Sequence, residues 1–199
     1  LYDLGIQTEA KPLELATGKN PGQILVADVN GDKRHDILYA DSQEQSISIF
    51  WGNRQRQFRE RMILGTGYTV SDFLAADFNR DGVAEIVFCS ADSKKIIFFT
   101  TDSNLKNRPK RTPKNVAPQL KQIVCAPTPS EILVSPNSQR KDFFVLSKRS
   151  RYVSKIDLSK KRAKLLSRHL PTSPKKAWRL TNNVFLCLLE NTLSVQKYN

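Results

Sequence analysis

The chain has 199 residues, 39% of them hydrophobic and 26% charged, with 32 Lys and Arg against 19 Asp and Glu. That length can bury one sizeable core as a single domain, 1–199, and the composition is that of an ordinary globular protein. No apolar run is long enough to span a bilayer as a helix, which excludes a transmembrane helix. The charge is uneven: residues 1–100 carry 11 Lys and Arg against 14 Asp and Glu, and residues 101–199 carry 21 against 5. The basic half attracts anionic partners through its long-range field, without choosing among nucleic acid, acidic polysaccharide, lipid headgroup or acidic protein. Cys89, Cys125 and Cys187 each sit in an apolar run, and an odd count without CxxC spacing argues against a disulfide framework or a zinc site.

Taken in chain order, the elements read as strands. Pro12–Thr17 is a short apolar-polar run. Gln23–Asp28 is apolar and β-branched, then turn residues lead to Asp36–Ala40, Ser46–Trp51 and a fourth run from Phe58 to Leu64. The same series returns 49 residues later without a gap: Gly18 matches Gly67, Leu25 matches Leu74, Ala27 matches Ala76, Asp28 matches Asp77, Asn30 matches Asn79, Asp32 matches Asp81, Ile37 matches Ile86, Ile47 matches Ile96 and Phe50 matches Phe99, with Glu85 in place of Asp36. A charged, proline-containing insertion over 103–119 interrupts the second unit before its last strand and reads as an extended surface loop. A degraded third unit follows in Glu131–Pro136, Asp142–Leu146, Tyr152–Leu158 and Ala163–Arg168. A fourth has three runs, Ala177–Thr181, Val184–Leu189 and Thr192–Lys197. The nearest helical candidate, Leu158–Leu170, fits the repeat better. The units are therefore expected over 23–64, 72–126, 131–168 and 177–199, with 12–17 supplying the missing strand of the last. Such closure protects open sheet edges.

The first two units carry acidic hairpin loops. The first runs from Asp28 through Asn30, Asp32 and Arg34 to Asp36. The second runs from Asp77 through Asn79, Asp81 and Val83 to Glu85. Oxygen side chains stand at loop positions 1, 3, 5 and 9, and the backbone carbonyl at position 7 (Arg34 or Val83) can complete a shell. Calcium takes six to eight oxygens in irregular geometry, so the spacing points to two structural Ca2+ sites. An EF-hand is excluded, because position 12 is Tyr39 or Phe88 and both flanks read as strands. The alternative is a metal-free turn in which the same side chains accept backbone N–H groups. Pro136–Asp142 in the third unit and Asn182-Asn183 in the fourth lack the carboxylates, so no metal is expected there.

The run Asp-x-Asn-Gly-Asp at 28–32, followed by Asp-Ile-Leu at 36–38, Ser-Ile-Ser-Ile-Phe-Trp-Gly-Asn at 46–53 and Gln-Phe at 57–58, resembles the FG-GAP/VCBS repeat family. The likeness is close over 12–102 and faint over 120–199. It implies an all-β β-propeller of four-stranded antiparallel blades, about four in this chain, as a small closed ring or part of a larger one. It also implies an acidic loop that joins the two innermost strands of a blade and binds calcium. The implied role is a non-catalytic module for a protein or glycan partner, in an extracellular, cell-surface or periplasmic setting. Lys33 departs from the pattern, which prefers Gly at loop position 6 as in Gly82, and Arg80 stands where the first loop has Gly31.

Further basic clusters are Lys148–Arg151, Lys160–Arg162 and Lys175-Lys176. In a four-stranded unit the loops joining strands one to two and three to four leave by one end. The acidic loops and the insertion are thus expected at one end, with Lys148–Arg151 and Lys175-Lys176 at the other. These clusters suit solvated edges or an anion-docking surface. No aromatic platform accompanies them, so nucleic acid is not favoured. No catalytic fingerprint is present, and the chain is expected not to be an enzyme. The remaining alternatives are a scaffold subunit docked through its basic half and an accessory domain of an enzyme acting on polysaccharide.

Overall fold

Fifteen strands make up the regular structure of the described residues, and no helix occurs among them. The structure is a computed structural model that describes residues 12–55, 57–58, 60–78, 82–99, 120–134, 142–157, 164–179, 184–189 and 192–197. The insertion, Lys160–Arg162, Asn182-Asn183 and the loop 135–141 lie outside the described residues. No helix is long and apolar enough to cross a membrane.

The strands form four antiparallel sheets, each a meander in chain order. The first sheet holds β1 (Pro21–Ala27), β2 (Asp36–Asp41), β3 (Ser46–Phe50) and β4 (Arg61–Gly65). The second holds β5 (Asp72–Ala76), β6 (Glu85–Ser90), β7 (Lys95–Phe99) and β8 (Leu120–Val124). The third holds β9 (Glu131–Leu133), β10 (Asp142–Ser147), β11 (Tyr152–Asp157) and β12 (Lys164–His169). The last holds only β13 (Lys176–Arg179), β14 (Val184–Leu188) and β15 (Leu193–Lys197). The candidate helix over 158–170 is absent where it is described, since 164–169 is β12.

The repeat in sequence is a repeat in register. Ala27 stands opposite Asp36 and Ile37 opposite Phe50 in the first sheet, while Ala76 stands opposite Glu85 and Ile86 opposite Phe99 in the second. Leu133 opposite Phe144 continues the pairing of Leu25 with Leu38 into the third. Because side chains alternate faces along a strand, a shared register puts the same residues into the core each time.

Each sheet buries a face on the next. Leu38, Ile47, Ile49 and Leu64 of the first sheet meet Phe73, Ile86, Phe88 and Ile97 of the second. Val87, Ile96 and Phe98 on the other face of the second meet Ile132, Phe143, Val145 and Ile156 of the third. Phe144, Leu146 and Val153 then meet Ala177, Cys187 and Leu189. The backbones of neighbouring sheets approach most closely between β1 and β5, β5 and β9, β6 and β9, and β9 and β13. The cysteines serve this packing as small hydrophobes. All three are buried and free, and burial pushes the thiols of Cys125 and Cys187 up to about 11.

The expected closing strand departs from this pattern. Pro12–Thr17 is described but forms no strand, and the last sheet has three. The chain beyond it is held by the first sheet instead. The Gly18 N–H donates to the Tyr39 hydroxyl at 3.0 Å and the Asn20 N–H to Asp41 Oδ2 at 3.1 Å.

One ionic contact joins the last two sheets. The Arg179 side chain, 1% exposed, donates to Asp142 Oδ1 at 2.8 Å and to the Asp142 carbonyl at 3.0 Å, and its guanidinium lies 4.9 Å from the centre of the Phe144 ring. Lys155 reaches the other carboxylate oxygen at 3.3 Å. Removing one partner of a buried pair leaves the other charge desolvated and poorly compensated. Arg179→Ala is therefore expected to lower unfolding stability by about 3 kcal/mol in urea titration. Arg179→Lys is expected to fall between the two, since a lysine keeps the charge and loses the forked geometry.

Candidate functional site

The hairpin from β1 to β2 is organised by one carboxylate. Asp28 Oδ1 accepts the N–H groups of Asn30 (3.3 Å), Gly31 (2.7 Å) and Asp32 (3.2 Å), and its Oδ2 accepts that of Lys33 (2.7 Å). Four consecutive N–H groups thus face inward around the side chain that opens the loop. Gly31 and Lys33, at φ 74° and 63°, supply the left-handed turns that aim them. Asn30, buried, accepts the Asp32 N–H at 3.1 Å. Asp32 Oδ1 accepts the Arg34 N–H at 3.0 Å, and its Oδ2 takes the Arg34 guanidinium at 2.8 Å.

Asp36 closes the loop and is fully buried. Its Oδ2 accepts the Val29 N–H at 3.1 Å and its Oδ1 the Gly52 N–H at 2.8 Å, so it ties the β1–β2 hairpin to the segment after β3. Burial pushes this carboxyl from 3.8 up to about 6, the charges of Asp32 and Asp28 add to the rise, and the two N–H groups oppose it.

The second loop repeats two of these bonds 49 residues on. Asp77 Oδ2 accepts the Gly82 N–H at 2.9 Å, as Asp28 Oδ2 accepts that of Lys33. Glu85 Oε2 accepts the Phe78 N–H at 2.7 Å, as Asp36 accepts that of Val29. Asn79 and Asp81 lie outside the described residues. Val83, expected to lend a carbonyl, buries its side chain against the first loop. A Cβ on Gly31 would come within 2.7 Å of Val83 Cγ2, and the Ala84 N–H donates to the Asp28 carbonyl at 3.1 Å. The two loops are interlocked.

These contacts bear on calcium. Among the described residues no group of three or more acidic, histidine or cysteine side chains is gathered as a metal would need. In the first loop, described throughout, Asp28 and Asp36 face backbone N–H groups and Asp32 faces Arg34. As placed, these side chains form a carboxylate-capped turn.

Beside the first loop lies a cavity of about 460 Å³ lined by Arg34, His35, Gly52, Asn53, Arg54 and Phe58. Sequence reading passed over it, since its walls come from two separate loops that Asp36 joins. The sole hint was the arginine-rich run from Arg54 to Arg61. Gly52 permits the approach of the two walls, because a Cβ there would stand 2.1 Å from the His35 carbonyl oxygen. The opposite end carries the β10–β11 turn, Lys148–Arg151, and Lys175. There Lys148 pairs with Glu131 at 2.9 Å and the Arg151 guanidinium donates to the Pro171 carbonyl at 3.0 Å.

Residues 28–88 match the FG-GAP-like repeat. No curated protein matches the sequence. Among solved structures, virginiamycin B lyase from Staphylococcus aureus is 14% identical with a TM-score of 0.54, over 90% of this chain and 56% of that one. A protein from Lactobacillus plantarum is 12% identical with a TM-score of 0.60, over 92% of this chain and 55% of that one. At these identities the likeness is one of fold, of the β-propeller kind. The chain spans a little over half the length of either structure.

Two outcomes follow from the loops. Loop position 6 is left-handed in both, as Lys33 and as Gly82 at φ 86°, and open space surrounds a Cβ at Gly82. The cost of a side chain there is thus purely backbone, so Gly82→Ala is expected to destabilise by about 1 kcal/mol and Lys33→Gly to stabilise by up to about 1 kcal/mol in denaturant titration. Asp36, in turn, binds its proton more tightly folded than unfolded. Its contribution to stability is greatest below 3.8 and is lost as pH rises through about 6. Carbon-detected NMR is expected to show its carboxyl titrating near 6. Asp36→Asn is expected to cost about 1–3 kcal/mol at pH 7, because an amide turns a donor toward one of the two N–H groups.

Proposed function

We propose that this chain, which carries an FG-GAP-like repeat over 28–88, is a non-catalytic binding module: four successive blades of a β-propeller that present their acidic-loop end to a glycan or protein partner. The observation that carries the reading is the preformed cavity at that end, framed by two loops whose backbone groups are already tied down by Asp28, Asp36 and Asn53. Binding to loops fixed in advance costs less ordering entropy. Membership of a propeller ring is supported by the outward face of the last sheet. There Trp178, Leu188, Leu193 and Val195 are exposed, although apolar faces are buried at each junction within the chain. An extracellular, cell-surface or periplasmic setting belongs to the same proposal and rests on the resemblance.

Calcium enters this reading only with rearrangement. To hold the ion, Asp28 would give up backbone donors and Asp32 its pairing with Arg34, with Asn30, Asp36 and the Arg34 carbonyl completing the set. Affinity in the millimolar range of extracellular modules follows. The melting temperature is expected to rise by only a degree or two between chelator and about 10 mM calcium. No rise at all would remove the ion and leave the module.

A glycan array followed by hydrogen exchange tests the reading. A bound glycan is expected to protect amides in 29–35 and 52–58. Protection confined to 148–151 and 175–176, with binding that falls steeply as salt rises, would instead favour docking of the basic end to an anionic surface.

A further inference from the structure

The cavity beside the first hairpin is cationic and aromatic together. Arg34 uses one guanidinium nitrogen on Asp32, and no other hydrogen bond of its guanidinium is present among the described residues. Arg54 and the His35 imidazole are exposed and have no hydrogen bond or ion pair there. Two carboxylates of the adjoining hairpin are committed: Asp32 to Arg34, and Asp36 to two backbone N–H groups, one of them that of the lining residue Gly52. Phe58 also lines the cavity and is half-buried.

Both walls are fixed. Asn53 Oδ1 accepts the N–H groups of Gln55 (3.0 Å) and Gln57 (2.8 Å), which curls the segment after β3. The Trp51 N–H donates to the Glu60 carbonyl at 3.0 Å and closes that segment at its base. On the other side, Asp28 holds the turn that ends in Arg34 and His35. The volume of about 460 Å³ falls within the range of small-ligand sites.

We propose that this cavity binds a six-membered ring bearing an oxyanion. The charged group sits between Arg34, Arg54 and His35, and the face of the ring lies on Phe58. Guanidinium groups suit this because they offer planar pairs of N–H donors to a carboxylate or sulfate, with charge-assisted bonds stronger than neutral ones. The ring comes from either an acidic sugar residue of a glycan or an aryl acid, since both offer a flat face to Phe58. The inference rests on the acidic-loop end being the binding end, and it deepens that reading by naming the ligand's chemistry.

The test is titration of the full chain, followed by amide chemical shifts, with sodium glucuronate, sodium benzoate, methyl glucoside and sodium sulfate in separate arms. Glucuronate or benzoate is expected to shift the amides of 34–35 and 52–58, and whichever binds more tightly identifies the source of the ring. Methyl glucoside and sulfate are expected to bind at least about tenfold more weakly, each lacking one half of the recognition. Arg54→Ala, on an exposed loop, is expected to weaken binding about tenfold. Phe58→Leu is expected to weaken the ring acids while leaving sulfate unchanged.

Equal binding of methyl glucoside and glucuronate would overturn the proposal while leaving a neutral-glycan module standing. Shifts from sulfate as large as those from the ring acids, or shifts confined to 148–151, would also overturn it. If no arm shifts 34–35 or 52–58 while an array glycan still protects those amides, the anion site fails and the module reading survives.

Discussion

The buried carboxylate of Asp36 is the tie on which the acidic-loop end depends. One oxygen holds the Val29 N–H and the other the Gly52 N–H, so a single side chain fixes the hairpin entering β2 to the segment leaving β3. An ionised carboxylate at zero exposure is costly, and its raised affinity for a proton records that cost. Two backbone donors offset part of it, and the close approach at Gly52 completes the contact. Next to this tie stand the curl of the loop through Asn53, Phe58 and the space enclosed against Arg34 and His35. Glu85 repeats half of this device in the second sheet by accepting the Phe78 N–H.

The stacked sheets provide the rigidity that such a tie needs. Each sheet is apolar on both faces wherever it lies between two others. Strand residues such as Phe88 and Ile97 of the second sheet face the first, while Val87 and Ile96 face the third. Alternation along a strand then means that both alternating sets are hydrophobic, and the strands read as continuous apolar runs. The Arg179–Asp142 pair adds direction to the junction between the third and last sheets. Hydrophobic faces of this kind are interchangeable, whereas a forked ionic contact fixes one sliding register of sheet on sheet.

How much of this was legible in the sequence varies by level. Four successive antiparallel units were legible, the first two most plainly, because a gapless offset of 49 residues carries the side-chain alternation with it. That the acidic loops and Lys148–Arg151 leave by opposite ends was legible too, since strand count fixes where loops emerge, while the insertion lies outside the described residues. Which of its two expected roles, cation ligand or turn cap, each loop carboxylate plays was not legible. Asp at positions 1, 5 and 9 serves a cation and a ring of N–H donors equally well, because each need is met by oxygen lone pairs. What separates them is where the backbone N–H groups point, which depends on left-handed turns at Gly31 and Lys33. Lys33 gives no sign of that conformation in sequence. In the structure the Arg34 guanidinium, whose residue was expected to lend a carbonyl, pairs with Asp32. Pro12–Thr17 misled for a related reason: a short apolar run matched in spacing to a fourth strand says nothing about the hydrogen bonds that hold the chain just after it to the first sheet.

The departures of one repeat from the next are read best through the neighbouring loop. Gly31 is small because Val83 of the second loop packs over it, so the freedom of that position is set 52 residues away and not by its own turn alone. The equivalent position in the second loop is Arg80, and a family consensus would count the difference as decay. Yet the contact requires the first loop to be small where the second is bulky, and the Ala84 N–H on the Asp28 carbonyl fixes the pair in that relation. Substituting either loop with the sequence of the other would therefore break an interlock that each loop in isolation does not possess. The cavity next to the first loop inherits this constraint, because Arg34 and His35 stand just beyond the residues that Val83 pins.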